Sequence, residues 1–289
     1  MDFVGFSLWF ASLPESAKEN LVGPTSQTLG KGINGIVTVF ANPLIKLGML
    51  ANKDIEDYEN KIYSKTKKIP EENRDSSKQG LAIQALEDSL YRITEEEIIE
   101  YYSNLISGSL DNRINKRIHP SFSSILKEMS TSDAILFEKI FRSSVKLISP
   151  YIPLASIQYK FLPDGGYGLI FKDTLIIPSH EQNYIESDTV SIFSLERLGL
   201  IKIDRHQEIT GNLRLITKQA DGTNLLIVHG TYEECYASLY QTDQYIDFSN
   251  FRNSPNFPNI SEPSLIKGSI ELTDFARSLG SIIIPDVFQ

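Results

Sequence analysis

The chain has a single cysteine, Cys235, among 289 residues. A lone thiol closes no internal disulfide, so a scaffold stapled by bridges is excluded and the composition fits a reducing cytosol. Basic residues are in deficit: 28 Lys and Arg stand against 37 Asp and Glu, a formal charge of −9. A surface of that sign repels phosphate backbones, which disfavours nucleic acid as a partner. No run reaches the roughly 20 uncharged apolar residues that a membrane-spanning helix needs. The first basic residue is Lys18, so the apolar opening 1–13 lacks the positive n-region of a secretory signal. It is expected to be a short element packed on the body, with Trp9 and Phe10 as anchors. No repeat of fixed period occurs.

What is present is a globular composition. Apolar residues make up 41% and aromatics 10%, enough to fill a sizeable core and to exclude a disordered or low-complexity chain. The length suits one large domain or two of ordinary size. Charge is unevenly placed. Residues 1–80 balance ten basic against ten acidic groups, whereas residues 151–289 hold ten against seventeen. From 20 through 53 there is no acid at all, only Lys31, Lys46 and Lys53.

The first half reads as helices. Ile33, Ile36, Val37, Phe40, Ala41, Leu44 and Leu47 recur at helical spacing on one face. A helix over 54–68 points Ile55, Tyr58 and Ile62 inward, with Asp57 and Lys61 as an outer i,i+4 pair. A polar loop over 69–77 separates it from a helix over 79–90. Thr94-Glu95-Glu96-Glu97 reads as a capping box opening a helix that buries Ile98, Ile99, Tyr102, Leu105 and Ile106 and stops near Gly108. After His119-Pro120 come two short helices, the second from about 130 to 148.

Beyond Pro150 the period changes. Residues 158–162 and 167–171 read as a hairpin across Pro163-Asp164-Gly165-Gly166, and 175–177 as a further strand. A helix over 184–198 ends at Gly199. Strands are expected at 200–204, 212–217 and 223–229, the last two joined across Asp221-Gly222. A short helix over 231–240, a loop over 241–263, a strand at 265–272 and a helix at 273–279 follow, and 282–284 would close the sheet. The fold class is therefore α+β: a helical domain, 1–150, and a mixed α/β domain, 151–289. The order helix, Gly199, strand, later strand, helix gives the second domain a winged-helix-like element. Its helix offers only Arg197 against Glu186, Asp188 and Glu196, which fits packing or protein contact better than DNA.

Chemical motifs are sparse. Gly30-Lys31-Gly32-Ile33-Asn34-Gly35 satisfies G-x-G-x-x-G, but residues 24–29 do not read as the strand a dinucleotide site requires. The glycines are read as close packing, and no cofactor is expected. His119, His180, His206, His229 and Cys235 show no metal-ligand spacing, so no metal site is expected. Cys235 follows Glu233 and Glu234 in an acidic helix expected to raise its pKa, and no G-x-S-x-G is present. Glu95, Glu96, Glu97 and Glu100 are explained by the helix dipole. His119 is the one candidate catalytic residue. Pro120 at the first helical position would place it at or beside a helix cap, where one ring nitrogen makes a fixed hydrogen bond across the helical half.

Four stretches carry a family resemblance. Leu21-Val22-Gly23-Pro24 with Leu29-Gly30 opens the lysine-flanked helix. Ile69-Pro70 precedes the helical run 82–90. Tyr102-Ser103-Asn104-Leu105-Ile106-Ser107-Gly108-Ser109 leads to Ile118-His119-Pro120-Ser121-Phe122 and the helix start at 130–134. Leu195-Glu196-Arg197-Leu198-Gly199-Leu200-Ile201 pairs with Leu272-Thr273-Asp274-Phe275-Ala276. In order over most of 20–280, these resemble the abortive-infection alpha (Abi-alpha) family of bacterial phage-resistance proteins. Residues 151–182 and 241–263 do not fit the pattern. The resemblance implies antiviral defence by stopping an infected cell, and it carries no catalytic residues with it.

The function expected is phage defence without catalysis. The helical half would be a toxin-like effector, contacting membrane or a partner through Ile33, Ile36, Val37, Phe40, Leu44 and Leu47, and the α+β half its control element. The protein is expected to be cytoplasmic, with peripheral attachment at the inner face of the membrane. A phage or host protein would be the trigger, and homo-oligomerisation is left open. Two alternatives stay open: a hydrolase or nuclease with a site of scattered acids and His119, and a winged-helix-type regulator binding a phage protein or DNA.

Overall fold

The computed structural model describes residues 52–162, 165–179, 183–218, 224–253 and 260–288. The apolar face of Ile33, Ile36, Val37, Phe40, Leu44 and Leu47 lies outside the described residues. So do the opening element at 1–13, the glycine motif at 30–35, His180 and the Asp221-Gly222 turn. The chain divides into two compact units. One holds the described residues through Thr131 with those from Ser281 onward; the other is Ser132–Gly280.

The first unit is helical: α1 Asn52–Thr66, α2 Gln79–Ser89, α3 Glu96–Ser109 and α4 Ser121–Glu128. Each buries the residues its period selects. Ile55, Tyr58 and Ile62 turn inward from α1, Ala82, Ala85 and Leu86 from α2, and Ile98, Ile99, Tyr102, Leu105 and Ile106 from α3. Two buried phenols stitch the bundle. The Tyr58 and Ser89 hydroxyls lie 2.7 Å apart between α1 and α2, and Tyr102 donates to the Ser123 carbonyl of α4 at 3.1 Å. Burial pushes both phenols above their ordinary pKa.

Three local expectations fail here. Lys61 turns to α3 rather than to Asp57, pairing with Glu96 and Glu100. Beside it Lys65 pairs with Glu100 and donates to the Asn104 side chain at 2.7 Å. The capping box at Thr94 does not form: the N-cap of α3 is Glu95, which makes no side-chain cap. Its carboxylate is held by Arg92 Nε at 2.6 Å and by the Thr131 hydroxyl at 2.6 Å, partners far too strong for a cap to compete with. The 69–77 segment is more ordered than a loop. It contains a 3₁₀ turn, Glu71–Asn73, and is tied to 110–115 by Asp75 N–H to the Leu110 carbonyl and Asn112 N–H to the Asn73 carbonyl.

The second unit is mixed α+β with two antiparallel sheets. Helix α5, Thr131–Lys146, leads into β1 Tyr151–Lys160, β2 Tyr167–Ile177 and β3 Tyr184–Glu186, then α6 Thr189–Arg197 and β4 Ile201–Asp204. The hairpin strands β5 Asn212–Lys218 and β6 Asn224–Thr231 follow. The unit continues with α7 Tyr232–Ala237, α8 Asp243–Arg252, β7 Ser264–Leu272 and α9 Asp274–Ile283, whose last turn reaches the division between units. The five-stranded sheet runs β3-β2-β1-β7-β4, and β5-β6 forms the other. Every described pairing is antiparallel.

The helix, Gly199, strand order is present as α6, Gly199 and β4, with β4 on the edge of the large sheet. Gly199 takes φ 71 as the residue after the helix. Its N–H bonds the Glu196 carbonyl and the Leu200 N–H the Leu195 carbonyl, the paired bonds of a Schellman ending. At its start α6 is capped by Asp188, which accepts from the N–H groups of Val190 and Ser191.

Residues 184–186, expected to open the helix over 184–198, form β3, and the helix starts only at Thr189. Strand boundaries differ from expectation in three further places. β1 begins seven residues before Gln158 and runs through Pro153. Pro153 is opposite Ser269 on the β7 side, while described pairing with β2 begins only at Leu154, so its missing N–H breaks no rung there. Leu175, Ile176 and Ile177 are not a separate strand but the end of β2. The 282–284 run does not join the sheet. Ala276, Leu279, Ile282 and Ile283 recur at helical spacing, and α9 buries them. Finally, the 241–263 loop contains α8, begun by Thr242, whose hydroxyl accepts from the Tyr245 N–H at 3.3 Å.

Candidate functional site

Within the first unit the one expected catalytic candidate among the described residues, His119, stands exposed at the start of α4. Pro120 precedes the helix, and its rigid φ is already helical at −54°. Behind it the Nδ1 of His119 accepts the Ser121 N–H at 3.2 Å, while the His119 carbonyl accepts the Phe122 N–H at 3.0 Å. The ring therefore serves the helix end, as the His-Pro spacing suggests, through a bond to its own turn. A nitrogen that accepts a backbone N–H carries no proton of its own.

Below it on the same face lie Ser123 and Lys127, each one turn further on. Both reach Asp88 of α2. Ser123 donates its hydroxyl to Oδ2 at 2.7 Å, and Lys127 donates to Oδ1 at 2.7 Å. The Asp88 hydrogen bond keeps the Lys127 ammonium protonated above its usual range. A serine, a histidine and an aspartate are thus neighbours without forming a nucleophilic relay. The serine gives its proton to a carboxylate that Lys127 also holds, and the His119 Nδ1 accepts the Ser121 N–H rather than the serine hydroxyl. The depression beside His119, lined by Leu81, Gln84, Leu105, Ile118, Pro120 and Ser123, is too shallow to enclose a water molecule.

Other charged groups of the first unit bind segments or turns together. Arg92 pairs with Glu95 and donates to the carbonyls of Leu126, Lys127 and Met129 at the end of α4. Asp75 accepts from Asn115 at 2.8 Å and from Ser77, and the buried Asp111 is gripped by Arg113.

In the second unit the most unusual constellation centres on Asp173. It is buried in β2, where the register against β1 shifts, and adopts φ 44, a left-handed conformation that aspartate tolerates better than most residues. Its N–H is taken by the Ser156 hydroxyl at 2.9 Å. Its carboxylate receives Arg205 Nε at 3.1 Å and Nη2 at 3.3 Å. The Arg205 guanidinium and the Lys172 ammonium lie 5.4 and 5.9 Å from the Phe193 ring centre. The cluster fixes the β2 irregularity to the turn after β4. Sequence reasoning did not find it; the only trace is a charged pair, Lys172-Asp173, interrupting an otherwise apolar strand.

Cys235 is buried in α7, and burial pushes its thiol up to about 12, far from a reactive thiolate. The Tyr236 phenol, also raised to about 12 by burial, donates to the Gly268 carbonyl at 2.6 Å. Among the described residues no three His, Cys, Asp or Glu side chains are grouped to hold a metal ion. No helix among them is long and apolar enough to cross a membrane.

The described parts define a mixed α+β protein of two compact units, in which His119, Ser123 and Asp173 are each engaged in local bonds or ties. Residues 51–283 match the family model described as abortive infection alpha, and the chain belongs to that family. The matched span includes 151–182 and 241–263, and it excludes the 21–30 stretch. No curated protein and no solved structure matches the chain. Membership points to a role in phage defence by abortive infection.

Proposed function

We propose that the protein acts in abortive infection without catalysis, by presenting the apolar segment that carries Ile33, Ile36, Val37, Phe40, Leu44 and Leu47. The family match over 51–283 is the observation that supports the defence role. Contact rather than turnover is supported by the engagement of the best chemical candidates. His119 Nδ1 accepts a helix N–H, Ser123 gives its proton to Asp88, and Cys235 is buried. The acid-free stretch from 20 to 53 is the part of the chain best suited to meet an apolar surface, with Lys31 and Lys46 at the ends of the apolar run. In this reading the protein is cytoplasmic, a phage or host protein triggers it, and the segment then engages membrane at its inner face or a protein target.

Liposome flotation of the purified full chain, with Phe40→Asp as its pair, tests which surface is met. Wild type that floats while the variant does not assigns the contact to lipid. If neither floats, the contact is with protein, to be sought by comparing what wild type and Phe40→Asp retain from infected cells. Equal flotation of both, or equal retention by both, contradicts a contact made through this face.

A further inference from the structure

We infer that α9 is a coupling rod: a change in the second unit reaches the helical unit through it, whatever the apolar segment at 33–47 meets. The chain passes between the two units at 131–132 and at 280–281. Domains are ordinarily joined by flexible linkers. Here the first passage falls at the start of α5 and the second inside α9, which runs unbroken from Asp274 to Ile283. A packed helix carries a displacement from end to end, where a loop would absorb it.

Each end of α9 is seated within one unit. In the second unit Thr273 caps the helix, accepting the Ala276 N–H at 3.0 Å. It gives its own N–H to the Leu200 carbonyl at 3.1 Å and its hydroxyl to the Gly199 carbonyl at 2.8 Å, which fastens the helix start to the ending of α6. Gly280 lies flush on α5, where a Cβ would overlap the Phe141 ring. In the first unit Asn104 of α3 donates to the Ile283 carbonyl at 2.7 Å, an acceptor that the helix end leaves open. Lys65 donates to the Asn104 oxygen at 2.7 Å, which fixes that side chain. Ile282 stands against Gly108, and Ile282, Ile283 and Ile284 are buried. The two seats are built from stretches that carry the family likeness, 195–201 with 272–276 and 102–109. A trigger that shifts the α6 ending therefore moves Ile282 and Ile283 inside the helical core.

The test is amide hydrogen exchange across the full chain. Thr273→Val removes the cap in the second unit and should speed exchange of the α3 amides 105–109 in the first by about fivefold, the effect of one lost hydrogen bond. Thr231→Ala removes the cap of α7 in the same unit and should leave those amides unchanged. Coupling is reciprocal, so Asn104→Ala should speed exchange at 198–200. Two glycines inserted after Gly280 should abolish both cross effects. Amides of α3 that ignore Thr273→Val, or that respond equally to Thr231→Ala, overturn the inference, as do cross effects that survive the insertion. If Thr273→Val fails to fold, Asn104→Ala decides: faster exchange at 198–200 upholds the inference, and a change confined to the first unit overturns it.

Discussion

Ser123 donates its hydroxyl to Asp88 at 2.7 Å, and by that bond α4 is tied to α2. The same helix begins with the His119 ring accepting the Ser121 N–H. A His–Ser–Asp set that looks reactive on paper is thereby a cap and a tie.

Replacing His119 by alanine should therefore cost roughly 1 kcal/mol of stability, as loss of a helix cap does, and leave phage protection intact. Urea unfolding and plating efficiency measure the two effects separately. A folded His119→Ala protein that no longer protects would restore the hydrolase reading.

Arg205 is the partner of a carboxylate that is buried and held in a left-handed turn. Arg205→Met should destabilise the protein by about 2–3 kcal/mol, because the Asp173 charge is left without its counter-ion. Adding Asp173→Asn should recover part of that loss. A double-mutant cycle checks it: effects that add to within about 0.5 kcal/mol would show that the two side chains are not coupled.

Glu95 supplies a pH dependence with a definite sign. The Arg92 hydrogen bonds hold its carboxyl below the ordinary glutamate value of 4.5; burial opposes them, and the Thr131 hydroxyl and the Arg92 charge add to the lowering. A folded pKa below the unfolded one gives stability that is present above pH 4.5 and lost as pH falls through the folded value. Wild type should lose stability across that acid range, and Glu95→Gln should start lower at neutral pH and decline less steeply. Parallel curves for the two proteins, from urea midpoints against pH, would contradict the assignment.

Cys235 should be unreactive toward a thiol reagent at mildly alkaline pH in the native protein and react fully in denaturant, since burial holds the thiol near 12. Rapid native labelling would show that α7 opens readily or is packed differently.

How much of this was legible in the sequence depended on whether the deciding partner was near in the chain. Helical period sufficed for Ile55, Tyr58 and Ile62, and for Ile98 through Ile106, because one buried face is a local pattern. Gly199 was legible for the same reason; the His119-Pro120 pair was placed at a helix start, but one residue early, because Pro120 is the N-cap and the helix begins at Ser121. The Thr94 capping box failed because the helix starts one residue later, at an N-cap Glu95 whose carboxylate is held by Arg92 and by Thr131, 36 residues away. Asp57 lost Lys61 to Glu96, 35 residues away. α8 was hidden by an Asn-, Ser- and Pro-rich surrounding; its signal was the Thr242 cap. The Asp173 cluster joins residues from β2, α6 and the turn after β4, which no spacing rule brings together.

The central claim is that the apolar segment, and not a catalytic group, stops the infected cell. Its most direct test is plating efficiency of phage on cells expressing wild type, Phe40→Asp or Ile36→Asp, with folding of each variant checked by the protection of Cys235. The result expected is loss of protection in both folded variants, while His119→Ala still protects. Folded Phe40→Asp and Ile36→Asp proteins that protect as well as wild type would contradict it.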